Sequence, residues 1–302
     1  MSSRMQRRSE CILHAAPQLT RLPSPPWTPA AGVRAIFGGF LISQSVSAAQ
    51  ATVPDTFSPH SLQSVFLRPG TSVQPITYRV ERVADGRTFA TRLVRVVQDE
   101  VELFVATIGL QKTIKQERAA GFHQYSELMP DLGSATPDNA PSDPTETMMQ
   151  MGYTRGMLDR GPPDPFTWLH LPQTTATAGD PSTVRLHSFV RSGPLQSDSC
   201  AVHLASLFFL TDEWLLGMPT LANPAAAGKN ASNIKIQASV NHAIWLHDPW
   251  ARADDWMVSE RATTWADNGR VLVRQKLWNR ATGKLVLTCT QEGLVRLGNS
   301  KL

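Results

Sequence analysis

The sequence contains few cysteines and no long apolar run. Its three cysteines, Cys11, Cys200 and Cys289, lie far apart and form no CxxC motif or Cys/His cluster. A sparse, odd set of this kind is typical of reduced thiols inside a cell and not of a disulfide framework. No stretch of eighteen consecutive apolar residues occurs, so we predict no membrane span.

Concentrated charge and metal-binding clusters are equally scarce. The net charge of +4 over 302 residues is small and scattered, which argues against a nucleic-acid partner. The separation of His242 from His247 puts the two side chains on opposite faces of a strand. Since a metal site needs three or four converging ligands, we expect no metal.

Several catalytic motifs are missing as well. The chain has neither the GxSxG turn that carries the serine of α/β-hydrolases nor a GxGxxG or Walker loop. We therefore expect no serine nucleophile of that kind, and we predict that the protein uses no cofactor.

What the sequence does contain is a repeated unit. Residues 58–111 and 234–297 each resemble a set of four strands, joined in places by Asp-Gly or Asn-Gly turns. Pro69 and Pro249 are separated by the same number of residues as Gln111 and Gln291. Internal repetition on this scale suggests that a domain was duplicated.

An apolar helical segment precedes each set of strands. The first covers residues 37–53 and the second residues 200–218, with Asp198 and Ser199 as expected helix caps. Both segments are too apolar for the protein surface, so a sheet should surround much of each. A helix followed by four antiparallel strands, twice over, predicts an α+β fold in which a curled sheet wraps each long helix.

The stretch between the two units is rich in Pro, Asp and Ser. It predicts a partly disordered crossover with a short helix near residues 148–158. The predicted domains are a basic, disordered tail (1–25), an N-terminal unit (26–112), this linker (113–182) and a C-terminal unit (183–302).

Both ends of the sequence have the composition of targeting signals. The last three residues, Ser300, Lys301 and Leu302, form the tripeptide that the peroxisomal import receptor reads. We therefore predict a peroxisomal location, with that receptor as a partner. The basic N-terminal tail fits a mitochondrial presequence or, as we favour, a disordered extension.

One acidic residue of the second helical segment stands in an apolar stripe. Asp212 follows Phe208 and precedes Leu216, at spacings that put all three on one helix face. A carboxylate in such a place is costly to bury unless it is hydrogen-bonded, and such sites often hold a functional acid or base. The alternative is a residue near the helix end that turns out to solvent, and the spacing leaves both interpretations open.

Two further polar residues lie on predicted strands. Gln291 continues the inward row of Leu287 and Cys289, as either a buried amide bonded to backbone or part of a site. Strict alternation puts Ser239 on the outward face, and only a bulge or an edge position would turn its hydroxyl inward.

Several stretches together resemble one known family. The segments FGGFLISQSVSAA, PHSLQSVFLRPG, LASLFFLTDEWLLG, SVNHAIWLHDP and TCTQEGLVR are similar, in order, to signatures of the type II acyl-CoA thioesterases. The resemblance extends from about residue 25 to residue 297. It implies a double-hotdog fold, an acyl-CoA substrate and hydrolysis of its thioester to a free acid and CoA.

The resemblance also implies roles for particular residues. The family holds its attacking water with an Asp, a Thr or Ser and a Gln, which fall here on Asp212, Ser239 and Gln291. We expect Asp212 to act as the general base and the other two to orient the water. We also expect Gly38 and Gly39, which open the first helix, to help bind the substrate or its oxyanion, together with His242.

This chain departs from the family pattern at two positions near those residues. Phe40 stands where a Gln usually follows the two glycines, and Asn241 stands where an Asp usually precedes the histidine. We expect Phe40 to reshape the acyl pocket and Asn241 to remove a charge close to the site.

Other functions remain open at this stage. A hotdog hydratase or dehydratase would use His242 or His247 as its base, whereas a degenerate relative would bind acyl-CoA without hydrolysing it. For a hydrolase, the pathway is either fatty acid metabolism or the synthesis of a specialised metabolite. Association of copies through sheet edges is a further expectation.

Overall fold

The computed structural model describes residues 10–14, 36–113, 123–152, 165–195 and 197–298. Its helices are α1 (Gly38–Gln50), α2 (Thr145–Gln150), α3 (Cys200–Leu210), α4 (Met218–Ala222) and α5 (Pro224–Ala227). Its strands are β1 (Glu10–His14), β2 (Phe57–Phe66), β3 (Thr77–Asp85), β4 (Phe89–Gln98), β5 (Val101–Lys112), β6 (Phe166–His170), β7 (Leu186–Ser192), β8 (Ile234–Leu246), β9 (Met257–Asp267), β10 (Arg270–Asn279) and β11 (Leu285–Leu297).

The strands form one antiparallel sheet in the order β1-β3-β4-β5-β2-β8-β11-β10-β9-β7-β6. Strands β1 to β5 make one half and β6 to β11 the other. The two halves join where β2 pairs with β8, from Ser61 opposite Trp245 to Val65 opposite Asn241. The sheet therefore runs without a break from one unit into the other.

The two long helices pack against each other inside the curled sheet. Ten of the thirteen residues of α1 and seven of the eleven residues of α3 are buried, as expected for helices that a sheet covers. Gly39 lies at the contact between the helices, where a Cβ atom would overlap the carbonyl oxygen of Phe209. A glycine is needed there because the backbone of one helix touches the other helix directly.

The second helix is shorter than the sequence predicts. The sequence predicts a helix to residue 218, but α3 ends at Leu210. A 3-10 turn at Leu215–Gly217 follows, and α4 begins directly after it. The break is at Trp214, whose φ of 57° is left-handed and cannot continue an α-helix. Ser199 is the N-cap as predicted, but its side chain makes no capping hydrogen bond.

This segment also qualifies the prediction about membranes. Residues Cys200–Ala222 are long and apolar enough to cross a bilayer by length and composition, although no uninterrupted apolar run exists. Most of the segment is buried inside the fold, as expected for the core helix of a sheet-wrapped unit.

Two predicted irregular regions contain strands. Within the tail predicted as disordered, Glu10–His14 form β1, whose backbone pairs with the edge strand β3. Within the predicted linker, Phe166–His170 form β6, which pairs with β7. Both are edge strands of five residues, too short for sequence periodicity to mark them. The short helix expected near residues 148–158 is α2, while residues 153–164 lie outside the described residues.

The two halves carry matching irregularities. Each half has a β-bulge. In β2, His60 is the extra residue between the pairs Pro59–Leu110 and Ser61–Gly109. In β8, Val240 is the extra residue between the pairs Ser239–Gly293 and Asn241–Glu292. Aligning the two bulges superimposes Ile108 on Gln291. Gln111 and Gln291 therefore do not occupy equivalent positions in the two halves, although they are separated by as many residues as Pro69 and Pro249. The reason is that the loops before β5 and β11 differ in length.

The helix contact leads to a stability prediction. We expect Gly39→Ala to lower the free energy of unfolding by about 1–3 kcal/mol, because the new methyl group meets backbone that cannot move aside. Gly193→Ala is the control, since a Cβ there has open space around it. Chemical denaturation of both variants measures the difference, and equal stabilities would contradict the close contact.

Candidate active site

Asp212 lies just beyond the end of α3, in the turn before Trp214. Its side chain is only 5% exposed, so it does not turn out to solvent. One carboxylate oxygen, Oδ2, lies against the first turn of α1, where a Cβ on Gly38 would stand 2.5 Å away from it. The carboxylate from the second half of the chain thus meets the helix N-terminus of the first half.

Gln291 donates hydrogen bonds to this carboxylate and to Ser239, and the three side chains form a polar cluster. Its Nε2 donates to Asp212 Oδ1 at 2.5 Å and to Ser239 Oγ at 2.9 Å. The side chain is fully buried, and its Oε1 has no hydrogen-bond partner among the described residues. The amide therefore has its donors engaged and a buried acceptor still available.

Ser239 reaches the same cluster because of the bulge in β8. Asn241 pairs with Glu292 and Ser239 pairs with Gly293, so Val240 has no pairing partner on β11. Because of this extra residue, Ser239 faces the same side of the sheet as His242. The Ser239 hydroxyl donates to Asp212 Oδ1 at 3.3 Å. The outward orientation that strict alternation predicts for Ser239 is therefore wrong.

His242 completes the cluster on the neighbouring strand. It is opposite Gln291 in the pairing of β8 with β11, and its ring is buried. Its Nδ1 lies 3.4 Å from Gln291 Nε2 and 3.8 Å from Asp212 Oδ1. Its Nε2 is buried and has no hydrogen-bond partner among the described residues.

Asn241 and His247 do not join the cluster. Asn241 is on the opposite face of the strand and donates to Glu292 Oε2 at 2.6 Å, so the absence of an Asp there removes no charge from the cluster. His247 follows β8 and contacts Thr288. Phe40 is buried in α1, and Gly39 contacts α3 through Phe209, which leaves Gly38 as the glycine beside the carboxylate.

A buried polar network supports the turn that carries Asp212. Arg261 Nη2 donates to the main-chain oxygen of Glu213 at 2.8 Å, and its guanidinium stacks on the Trp168 ring at 4.0 Å. Trp168 Nε1 donates to the Glu213 carboxylate at 2.7 Å. Burial, with a smaller effect of the Arg261 charge, lowers the pKa of the neighbouring His170 to about 3. Sequence patterns had not singled out these residues, because their spacing along the chain is irregular.

The corresponding positions of the first half are apolar. Where the second half has His242, Gln291 and Ser239, the first half has Leu62, Ile108 and Pro59, in the same pairing around the bulge. All three are buried. The polar cluster thus occurs once in the described part of the duplicated sheet.

Metal ligands do not converge anywhere in the described ranges. No group of three or more His, Cys, Asp and Glu side chains there is arranged to hold a metal ion. What the cluster offers is one buried carboxylate with an amide, a hydroxyl and an imidazole around it. The fold and this site define the class of protein: a double hotdog with an acid–amide–hydroxyl centre.

Comparisons with known proteins identify the family. The family profiles named acyl-CoA thioesterase N-terminal domain and C-terminal domain match residues 24–111 and 135–295. Acyl-coenzyme A thioesterase 8 of Mus musculus is 28% identical over 283 residues, covering 90% of this chain and 82% of the relative. Peroxisomal acyl-coenzyme A thioester hydrolase 1 of Saccharomyces cerevisiae is 23% identical over 315 residues, covering 89% of this chain and 88% of the relative.

Solved structures agree with this result. The crystal structure of an acyl-CoA thioesterase II from Mycobacterium marinum has a TM-score of 0.69 and 26% sequence identity, covering 87% of this chain and 90% of that chain. The chain belongs to the type II acyl-CoA thioesterases, a family of thioester hydrolases. The predicted family and the predicted double-hotdog fold are confirmed.

Burial near the site leads to a prediction about cysteine reactivity. Cys289, two residues before Gln291 in β11, is 2% exposed, and burial raises the pKa of its thiol to about 12. At pH 8 its thiolate fraction is then on the order of 10⁻⁴, and only the thiolate reacts. In a Cys11→Ser variant, Ellman's reagent should titrate exposed Cys200 at once and buried Cys289 far more slowly.

The pH dependence gives the check. The slow rate at Cys289 should rise about tenfold for each unit of pH up to 10, because the thiolate fraction rises by that factor below the pKa. A Cys11→Ser/Cys200→Ser variant isolates this thiol. Complete reaction of that variant within seconds at pH 8 in the native state would contradict the assigned burial.

Proposed function

We propose that this hydrolase cleaves an acyl-CoA thioester by direct attack of a water that Asp212, Ser239 and Gln291 hold. The observation that carries the proposal is their convergence. Three side chains from three elements, the turn after α3, β8 and β11, lie within hydrogen-bond distance of one another. Membership of the thioesterase family supplies the substrate class.

The hydrogen-bonding capacity of the cluster suits one water molecule. Asp212 Oδ2 takes no part in the contacts with Gln291 and Ser239, which both use Oδ1. An O–H of the water can donate to this carboxylate, and its second O–H to Gln291 Oε1, the buried acceptor without a partner among the described residues. Two acceptors so arranged orient a lone pair of the water toward a carbonyl carbon.

The reaction then follows in balanced steps. The water oxygen bonds to the thioester carbon while Asp212 takes the water proton, and the carbonyl electrons move onto oxygen. The resulting tetrahedral intermediate collapses, the carbon–sulfur bond breaks, and Asp212 returns the proton to the CoA sulfur. The products are the free acid and CoA, and no covalent acyl-enzyme forms.

The oxyanion of that intermediate needs donors close to Asp212. The first turn of α1, which begins at Gly38, presents backbone N–H groups and the positive end of a helix dipole beside the carboxylate. The N-cap residue Phe37 makes no capping hydrogen bond through its side chain. We assign Gly38 and Gly39 to this role, with His242 as a further donor through Nε2, which has no partner among the described residues.

A hydratase or dehydratase is the second candidate that the fold allows. It would use His242 as its base, since His247 is distant from the cluster and bonds to Thr288. The distances favour hydrolysis, because Gln291 Nε2 lies closer to Asp212 Oδ1 (2.5 Å) than to His242 Nδ1 (3.4 Å), and Ser239 also donates to Asp212.

Substitution of the three residues tests the mechanism. We expect Asp212→Asn to lower kcat by about 10²–10⁴-fold, since a general base is lost. Gln291→Ala should lower it by about 10²-fold and Ser239→Ala by about tenfold, because each removes an interaction that orients the water. The measurement is the release of free thiol from a panel of acyl-CoAs, with KM and kcat determined separately.

Two exposed residues provide matched controls. Asp138→Asn and Gln63→Ala make the same chemical changes away from the cluster and should keep wild-type rates. Full activity in Asp212→Asn, combined with loss of activity in His242→Ala, would overturn the proposed mechanism and favour the hydratase alternative.

We also propose that the protein acts in peroxisomes. The support is the Ser-Lys-Leu tripeptide at residues 300–302, which lies outside the described residues, and the name of the yeast relative. A fusion with fluorescent protein at its N-terminus should colocalise with a peroxisomal marker, and deletion of Ser300–Leu302 should release it to the cytosol. Continued import of the truncated fusion would contradict this signal.

A further inference from the structure

A cavity of about 720 Å³ lies beyond the catalytic cluster in the second half. Its walls are α4, α5, the hairpin between β9 and β10, and the ends of β8 and β11. Alkyl side chains form much of its lining, among them Ile234, Val271, Val295 and Ala227. This volume falls within the range of pockets that enclose small ligands.

The cavity and the cluster share one face of the sheet. Gln291, Gly293 and Val295 alternate with outward residues along β11, so all three face the same side. Two residues advance a strand by about 7 Å, which places Val295 about 14 Å from Gln291. On β10, Val273 is opposite Gln291 and Val271 opposite Gly293. A continuous apolar floor therefore leads from the reacting centre to the cavity.

Leu216 lies between the cluster and the cavity, because it packs over Gly293, which is between Gln291 and Val295 on β11. Leu216 lies over Gly293, so closely that a Cβ on the glycine would overlap its methyl groups. The main-chain oxygen of Leu216 accepts a hydrogen bond from Gln237 Nε2 at 2.6 Å, which ties its backbone to β8. A rotation of its side chain about χ1 would move the methyl groups away from Gly293.

The lining favours an acyl chain over the nucleotide part of CoA. CoA carries phosphates, which require several cations in convergence. Of the two arginines at this cavity, Arg270 already pairs with Glu292 at 2.6 Å and lies over Trp265, leaving Arg296 as the second. A flexible hydrocarbon, in contrast, needs only the apolar walls that are present.

We propose that this cavity is the acyl-chain subsite and that Leu216 is the residue that sets chain-length preference. The proposal rests on the proposed thioester hydrolysis. Short acyl groups occupy the space in front of Leu216, whereas longer chains displace its side chain and enter the cavity.

The test fills the cavity from its wall. Ala226 is half-buried and lines the cavity, so the variant is Ala226→Trp. The adjacent Ala225 is exposed and outside the lining, so Ala225→Trp is the control. We expect Ala226→Trp to lower kcat/KM about tenfold or more for palmitoyl-CoA and less than about twofold for butyryl-CoA, because each excluded methylene loses binding energy. Leu216→Ala should shift the ratio toward palmitoyl-CoA.

Inhibition by free CoA distinguishes the alternative occupant. Its inhibition constant should stay the same in Ala226→Trp. An inhibition constant raised together with equal losses on both substrates would overturn the proposal and assign the cavity to CoA. Unchanged kinetics in both Ala226→Trp and Leu216→Ala would also overturn it.

A binding measurement separates this proposal from the proposed function. If the wild-type protein hydrolysed neither substrate, the proposed function would fail, yet palmitate itself could still probe the cavity. Displacement of a fluorescent fatty acid by palmitate should occur with wild type and Ala225→Trp and should weaken with Ala226→Trp. Equal displacement from all three proteins would contradict the acyl subsite.

Discussion

The pairing of β2 with β8 is the constraint on which the rest of this structure depends. It joins two half-sheets into one continuous surface, and it thereby fixes how α1 and α3 cross inside that surface. Because the helices cross there, the N-terminus of α1 meets the residue that follows α3, and Gly38 lies against Asp212. The four residues of the polar cluster all belong to the second half, and the first half places the N-terminus of α1 beside their carboxylate.

The two halves share one arrangement of helix and sheet, but they differ in the residues around the bulge. Both halves keep the bulge, at His60 and at Val240, and both keep a helix inside a curled sheet. Around the first bulge the inward residues are apolar and contribute to the core. Around the second they are polar, and their desolvation is compensated by mutual hydrogen bonds. The buried support from Arg261 and Trp168 also occurs in the second half, directly behind the turn that presents Asp212.

Much of the plan was predictable from local patterns. The helix at α1, the strands from β2 to β5 and from β8 to β11, and the anomaly of a carboxylate in an apolar stripe all follow from periodicity. Alternation alone puts Ser239 on the outward face, and the bulge that turns it inward depends on the hydrogen bonds of two partner strands and leaves little trace in the sequence of one of them. The short edge strands β1 and β6 were missed for a similar reason, since their stability comes from the sheet they join.

The sequence by itself determined the class of fold, the burial of both helices and the residue types available for chemistry. Tertiary structure alone decided which of those residues meet. Asp212, Ser239 and Gln291 are separated by 27 and 52 positions along the chain, and their contacts depend on helix crossing and strand register. Such contacts cannot be read from spacing, because a shift of one residue in register turns a side chain to the other face of the sheet.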